Sequence, residues 1–205
     1  MRFLNRLFAG GLAVLVGAMP LNQSWADRDA PKMGIFTKKD AAIDLGLQFQ
    51  DAQGRQVTLA QLVKKDTPVI LVPIFYDCPR LCGLTTAGVV KLVNSLPERL
   101  GTDYTIIAYS FNSQETPAAA LKKKQAVFAQ LKSPPHDADW EFLVGSESSV
   151  LRLSEQIGFR FRRADQELEH SSAIFVLSPQ GRVRGYVAGV EFPVKKIEAL
   201  LGAKP

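Results

Sequence analysis

Residues 69–75 read Val-Ile-Leu-Val-Pro-Ile-Phe. A short run this apolar has no polar face to give to water, so it predicts a strand buried on both sides. Tyr76 and Asp77 then turn the chain, and Cys78-Pro79-Arg80-Leu81-Cys82 follows. Beyond it Leu81, Leu84, Leu92, Val93 and Leu96 recur at helical spacing. Pro79 suits the first turn of that helix, where a missing N–H is harmless. The only two cysteines of the chain therefore sit at a strand-to-helix turn. The partial positive charge of a helix start favours thiolate, the form that binds soft metals and attacks disulfides. Three intervening residues predict sulfurs one helical turn apart, able to share a metal ion or to close a disulfide. A purely structural disulfide is the plainer reading. It fits poorly, because so small a loop removes little unfolded-state entropy and a chain of 205 residues can build a core without it.

The rest of the chain supplies elements around that strand. Residues 45–49 and 55–59 alternate and are joined by Asp51-Ala52-Gln53-Gly54, which predicts a hairpin. A single helical turn is expected near residues 59–64. Residues 104–111 and 140–144 read as further strands. Thr116-Pro117 and Ser146 mark helix starts, the helices running to about residues 131 and 157. Residues 133–137 form a loop, and residues 159–163 read as one edge strand. Residues 173–177 and 183–190 read as a strand pair joined at Ser178-Pro179-Gln180-Gly181, and a helix over 193–201 closes the chain. Strands alternating with helices imply an α/β fold with a central mixed sheet flanked by helices. With the cysteines after the first core strand, this is a thioredoxin-like arrangement preceded by an N-terminal β-hairpin. The right-handed crossover rule puts the cysteine turn at the carboxyl end of the sheet, where such folds hold their sites.

The N-terminus reads differently. Residues 1–6 carry Arg2 and Arg6 and no acid, residues 7–19 are apolar, and Ser24-Trp25-Ala26 fits a small-x-Ala cleavage site. These features predict a secretory signal peptide over 1–26. The alternative is an uncleaved anchor, for which the apolar run is short. Residues 27–41 read as a flexible mature N-terminus and 42–205 as the folded domain. Without Arg2 and Arg6 the chain keeps 23 basic against 20 acidic residues, a net charge of +3, too balanced for a nucleic-acid binder. Lys122-Lys123-Lys124 on a helix reads as a solvated face rather than a docking patch.

A third group bears on the cysteines. His170, one of two histidines, lies just before the strand at 173–177. If that strand runs antiparallel beside 69–75, its start meets the cysteine turn at one sheet edge. Two sulfurs and an imidazole suit Cu(I) and tolerate Cu(II), whereas structural zinc normally takes four protein ligands. On spacing alone His170 is equally a loop histidine without a ligand. His136, in a Pro-rich loop beside Asp137 and Asp139, has no thiol near it in sequence. Glu167 and Glu169 flank His170, and Glu169 is placed to orient the imidazole.

The string Val-Pro-Ile-Phe-Tyr-Asp-Cys-Pro-Arg-Leu-Cys-Gly-Leu, the Glu-His-Ser before a buried strand, and the Leu-Ser-Pro-Gln-Gly-Arg hairpin resemble the Sco/SenC family. The opening stretch at 47–62 is similar as well. The likeness covers roughly residues 45–201, with Gly83 where many members have Pro and Glu169 where many have Asp. The resemblance implies a thioredoxin fold and copper held by Cys78, Cys82 and His170. It implies a metallochaperone that assembles cytochrome c oxidase, with oxidase subunit II or another envelope cuproprotein as client. A thioredoxin-like reductant is a further implied partner. The implied location is the periplasm, with inner-membrane anchoring as the alternative and membrane contact only through the client or that anchor.

Two other readings compete. A cell-envelope thiol–disulfide oxidoreductase would use Cys78 and Cys82 as its redox pair. Against it, such reductases have two residues between their cysteines and a Pro where this chain has His170-Ser171-Ser172. A peroxidase of the peroxiredoxin type needs a Thr upstream of its cysteine, where this chain has Asp77 next to Cys78.

Overall fold

The computed structural model describes residues 32–78, 81–96, 99–133, 135–164 and 167–202. The elements run β1 (Gly34–Ile35), β2 (Gln48–Gln50), β3 (Gln56–Thr58), α1 (Leu59–Leu62), β4 (Val69–Ile74), α2 (Leu81–Val93) and β5 (Thr105–Ser110). Then come α3 (Pro117–Phe128), a 3-10 turn (Asp137–Asp139), β6 (Trp140–Leu143), α4 (Glu147–Ile157), β7 (Phe159–Arg160) and β8 (Arg162–Ala164). The chain closes with β9 (Glu167–Glu169), β10 (Ala173–Leu177), β11 (Val183–Ala188) and α5 (Val194–Leu201).

The central sheet has the order β11-β10-β4-β5-β6. β4, β5 and β6 are parallel, β10 is antiparallel to β4, and β11 is antiparallel to β10. Every residue of β4, β5, β6 and β10 is buried, as the near-continuous apolar runs require of strands covered on both faces. α2 packs on β4, α3 on β6, and α5 on β10 and β11. This is the expected mixed α/β sheet flanked by helices.

Register decides what meets at the sheet edge. Phe175 lies opposite Leu71 and Leu177 opposite Val69, so β10 begins where β4 ends. The carboxyl ends of β4, β5 and β6 and the amino end of β10 thus share one rim. The helix caps follow the sequence signals: the Thr116 hydroxyl accepts from the Ala119 amide at 3.4 Å, and the Ser146 hydroxyl from the Ser149 amide at 3.2 Å.

Three stretches depart from expectation. The N-terminal stretch read as flexible is tied down over residues 34–41. β1 pairs with β7, and the Phe36 amide donates to the Gly158 carbonyl at 2.6 Å. The Thr37 hydroxyl donates to the Ile157 carbonyl at 2.7 Å, and the Asp40 amide to the Val183 carbonyl at 2.8 Å. Gly158, at φ 74°, permits this crossing, since a Cβ there would lie 2.4 Å from the Phe36 backbone. The edge strand read over 159–163 is two strands. β7 takes β1 as partner, and after Phe161 the chain enters a separate hairpin of β8 and β9. Finally, residues 137–139 of the Pro-rich loop form a helical turn that packs Asp139 inward.

The signal-peptide reading of 1–26 and the position of Pro79 lie outside the described residues. Among the described residues, no helix is long and apolar enough to cross a membrane.

Candidate metal centre

β4 delivers the chain to the rim, and residues 75–78 fold into a turn closed by the Cys78 amide donating to the Phe75 carbonyl at 3.3 Å. Two anchors set that turn. The buried Tyr76 side chain reaches across the strand ends, and its hydroxyl contacts the Leu143 carbonyl at 2.7 Å and the Ala108 carbonyl at 3.3 Å. The Glu115 carboxylate accepts the Tyr76 amide at 2.9 Å and the Asp77 amide at 2.8 Å. Cys78 lies in this turn, half-buried, while Cys82 is in the first turn of α2. The sulfurs therefore converge because the turn folds back on the helix start, not because both cysteines occupy one helical face.

Cys82 is 1% exposed. Its Sγ accepts the Phe75 amide at 3.3 Å and lies 3.5 Å from His170 Nε2. Burial pushes the Cys82 thiol up to about 12, with the Phe75 amide opposing and the neighbouring Cys78 adding to the rise. This corrects the expectation that the helix start favours thiolate: at Cys82 desolvation outweighs it. The two thiols are not joined by a disulfide.

His170 follows β9 and precedes β10. Its Nδ1 lies 3.0 Å from the Ser171 carbonyl, a hydrogen bond that assigns the ring proton to Nδ1 and leaves the Nε2 lone pair facing Cys82. The ring packs on Phe111, centroids 4.7 Å apart. Behind it, the Ser172 hydroxyl donates to the Gly189 carbonyl at 2.8 Å, so the Thr85 hydroxyl, 2.7 Å away, donates to Ser172. That pair ties the chain after His170 to α2.

The candidate ligand atoms of Cys78, Cys82 and His170 all lie within 4.8 Å of one another. Metal bonds of about 2.1–2.3 Å place two ligand atoms up to roughly 4.6 Å apart, so this spacing is of the scale one ion requires. Two sulfurs and one neutral imidazole form a soft set that suits copper.

The other candidates stand apart. His136 caps the 3-10 turn through its backbone amide, which donates to Asp139 at 3.1 Å. Glu169 pairs with Arg162 at 2.6 Å, a partner of its own away from the imidazole nitrogens. Lys124 of the basic cluster is buried, its Nζ donating to the Asp137 carbonyl at 2.9 Å, so that position is not a solvated face. Sequence reading missed Glu115, Thr85 and the Phe111 ring. None has a local pattern, because what each does at the site depends on a partner distant in sequence: Tyr76 and Asp77 for Glu115, Ser172 for Thr85 and the His170 ring for Phe111.

Comparison with known proteins agrees with this geometry. The family model SCO1/SenC matches residues 37–202. No curated protein sequence matches the chain. Among solved structures, a protein of Aquifex aeolicus assigned to electron transfer superposes with a TM-score of 0.70 at 22% identity, covering 80% of this chain and 92% of that one. A SCO1/SenC family lipoprotein of Bacillus anthracis gives 0.63 at 18% identity, over 80% and 96%. Arabidopsis thaliana ScoI with copper bound gives 0.61 at 14% identity, over 78% and 97%. At these identities the structures report the shared fold.

Proposed function

The chain belongs to the SCO1/SenC family, and from that premise we propose that it is a copper-binding assembly factor of the cell envelope. Its task is to deliver copper to, or mature, the copper site of a client such as cytochrome c oxidase subunit II. The observation that carries this reading is the convergence of the Cys78, Cys82 and His170 ligand atoms on one spot at the sheet rim. Copper is cargo here. The soft sulfurs hold Cu(I), the imidazole extends tolerance to Cu(II), and half-exposed Cys78 leaves the ion reachable by a client. The N-terminal sequence supports export to the periplasm.

The test is a titration of reduced protein with Cu(I) against a competing chelator, followed by oxidation to read the Cu(II)–thiolate absorption. His170→Ala is expected to weaken binding by at least about tenfold and to shift those bands, with the fold intact. Unchanged affinity and spectrum would overturn the assignment of His170.

One observation favours a second reading, thiol–disulfide exchange with the client. The two sulfurs stand together without a disulfide, and Cys78 is half-exposed. Cys78 thiolate would attack a client disulfide, Cys82 would displace the client sulfur and leave a Cys78–Cys82 disulfide, and an external thiol reductant would restore the pair. Cys82 must lose its proton for either task, and burial opposes both. The imidazole beside the two sulfurs, which exchange does not need, makes metal binding the reading the geometry supports best. A mixed disulfide between Cys82→Ser protein and a client peptide, trapped in good yield, would reverse that order.

A further inference from the structure

Within the turn that carries Cys78, the Cys78 amide donates to the Phe75 carbonyl at 3.3 Å. The Tyr76 and Asp77 amides point elsewhere, toward the start of α3, and meet a carboxylate that is not among the candidate ligands. Glu115 Oε1 accepts the Asp77 amide at 2.8 Å. Glu115 Oε2 accepts the Tyr76 amide at 2.9 Å and also the hydroxyl of Ser110, the fully buried last residue of β5. Three donors thus converge on one half-buried side chain. Two of them are the backbone N–H groups immediately before Cys78.

We propose that Glu115 is a positioning residue: by pinning the Tyr76 and Asp77 amides to the end of β5, its carboxylate sets where the Cys78 sulfur stands relative to Cys82 and His170. The proposal rests on the copper-site reading for its purpose but not for its geometry.

The chemistry asks for a carboxylate. Three donors need acceptors on both oxygens, and an ionised carboxylate offers only acceptors. Glutamine has one oxygen, so its amide nitrogen would face a backbone N–H and leave that donor unpaired in a largely desolvated place. Burial pushes the Glu115 carboxyl above the ordinary range, while Ser110, Tyr76 and Asp77 pull it back. Hydrogen bonds to a charged acceptor are the stronger kind. Without them the turn before Cys78 would keep the Tyr76 side chain and the Cys78–Phe75 hydrogen bond but lose its tie to the end of β5, and the Cys78 sulfur would be placed less tightly.

The experiment compares Glu115→Gln with Ser146→Ala in the full reduced chain. Ser146→Ala removes the cap of α4, whose hydroxyl accepts from Ser149 at 3.2 Å, and serves as a destabilised control remote from the turn. Two readouts are taken: the alkylation rate of Cys78 in metal-free protein, resolved by mass spectrometry, and Cu(I) affinity by chelator competition. Glu115→Gln is expected to raise the Cys78 rate, to lower affinity by about tenfold to a hundredfold, and to alter the Cu(II)–thiolate absorption, while Ser146→Ala moves none of these. Wild-type values in Glu115→Gln, or equal shifts in the control, overturn the proposal. Should the wild-type protein take up no copper while Glu115→Gln still changes the Cys78 rate, the copper reading falls and Glu115 stands as the group that places Cys78. If Glu115→Gln does not fold, Ser110→Ala removes one donor and keeps the carboxylate. It must then shift both readouts the same way by less, and an unshifted Ser110→Ala overturns the proposal.

Discussion

The cysteine arm and the histidine arm of the metal centre are built on different principles. The cysteine arm is an extension of the sheet. β4 leads into it, Tyr76 bolts it to the ends of β5 and β6, Glu115 holds its amides, and the Phe75 amide points at the Cys82 sulfur. The histidine arm leaves the sheet altogether. It descends from the two-stranded β8–β9 hairpin, where the exposed Arg162 and Glu169 side chains pair, and rejoins the sheet only at Ala173. What holds His170 in place is local: the Ser171 carbonyl, the face of Phe111 and the Thr85–Ser172 contact. For the proposed role of holding and releasing copper that division is an advantage, because one side of the site can yield while the other keeps its shape.

The comparison breaks most visibly if α2 cannot sit where it does. A Cβ at Gly88 would lie 1.9 Å from the Val190 carbonyl oxygen and 3.0 Å from Phe192. That is backbone, with no flexible end to give way. Gly88→Ala is therefore expected to destabilise the protein by about 3 kcal/mol, read by urea unfolding, and to weaken copper binding as α2 moves Cys82. Gly83, in the same helix, has nothing within 4 Å of a Cβ. Gly83→Ala should instead stabilise by about 0.5–1 kcal/mol, since it only removes unfolded-state freedom. If both substitutions behave alike, the close packing of α2 on the turn after β11 is not what fixes the cysteine arm.

The sequence made the cysteine arm legible and the histidine arm only half so. An apolar run, a turn and a helix spaced by leucines are short-range patterns, and β4, the turn and α2 stand where those patterns put them. The sequence brings His170 to the cysteines only if β10 runs antiparallel beside β4, and the register of Phe175 on Leu71 meets that condition. What stayed hidden was long-range. Glu115 is just one residue before a readily seen helix cap, yet the backbone amides it holds lie 38 and 39 positions upstream. The break at Phe161 was invisible because β7 and β8 share the same alternating composition and differ only in their partners, Ile35 and Glu169 among them. The thiolate expectation failed for a related reason: charge at a helix start can be read locally, but the burial that overrides it at Cys82 is made by the whole fold.

That burial sharpens the contrast between the arms through pH. The Cys82 thiol is raised from 9.0 to about 12 in the folded chain. Between those values the unfolded chain loses a proton that the folded chain keeps. The stabilisation is complete below about pH 9 and drains away toward pH 12, at about 1.4 kcal/mol per pH unit. Urea unfolding of the metal-free protein at pH 8, 9 and 10 measures it, and the part that vanishes in Cys82→Ala belongs to this thiol. A slope unchanged by Cys82→Ala would mean that the sulfur is far better solvated than the packing of the cysteine arm implies.

The smallest effect is expected at the hairpin. Arg162 and Glu169 meet at 2.6 Å, but their side chains are 43% and 40% exposed, so water and salt screen the pair. Arg162→Ala should cost no more than about 0.5 kcal/mol, and copper affinity should move by no more than about twofold. The reason lies in how the imidazole is held. Rotation of its ring is opposed by Phe111 and by the Nδ1 hydrogen bond, and neither passes through the Arg162 guanidinium. Chelator competition on Arg162→Ala beside Phe111→Leu decides the matter, with the ring substitution expected to have the larger effect on affinity. The reverse order would make the hairpin, rather than the packing beneath His170, the part that aims the imidazole at the sulfurs.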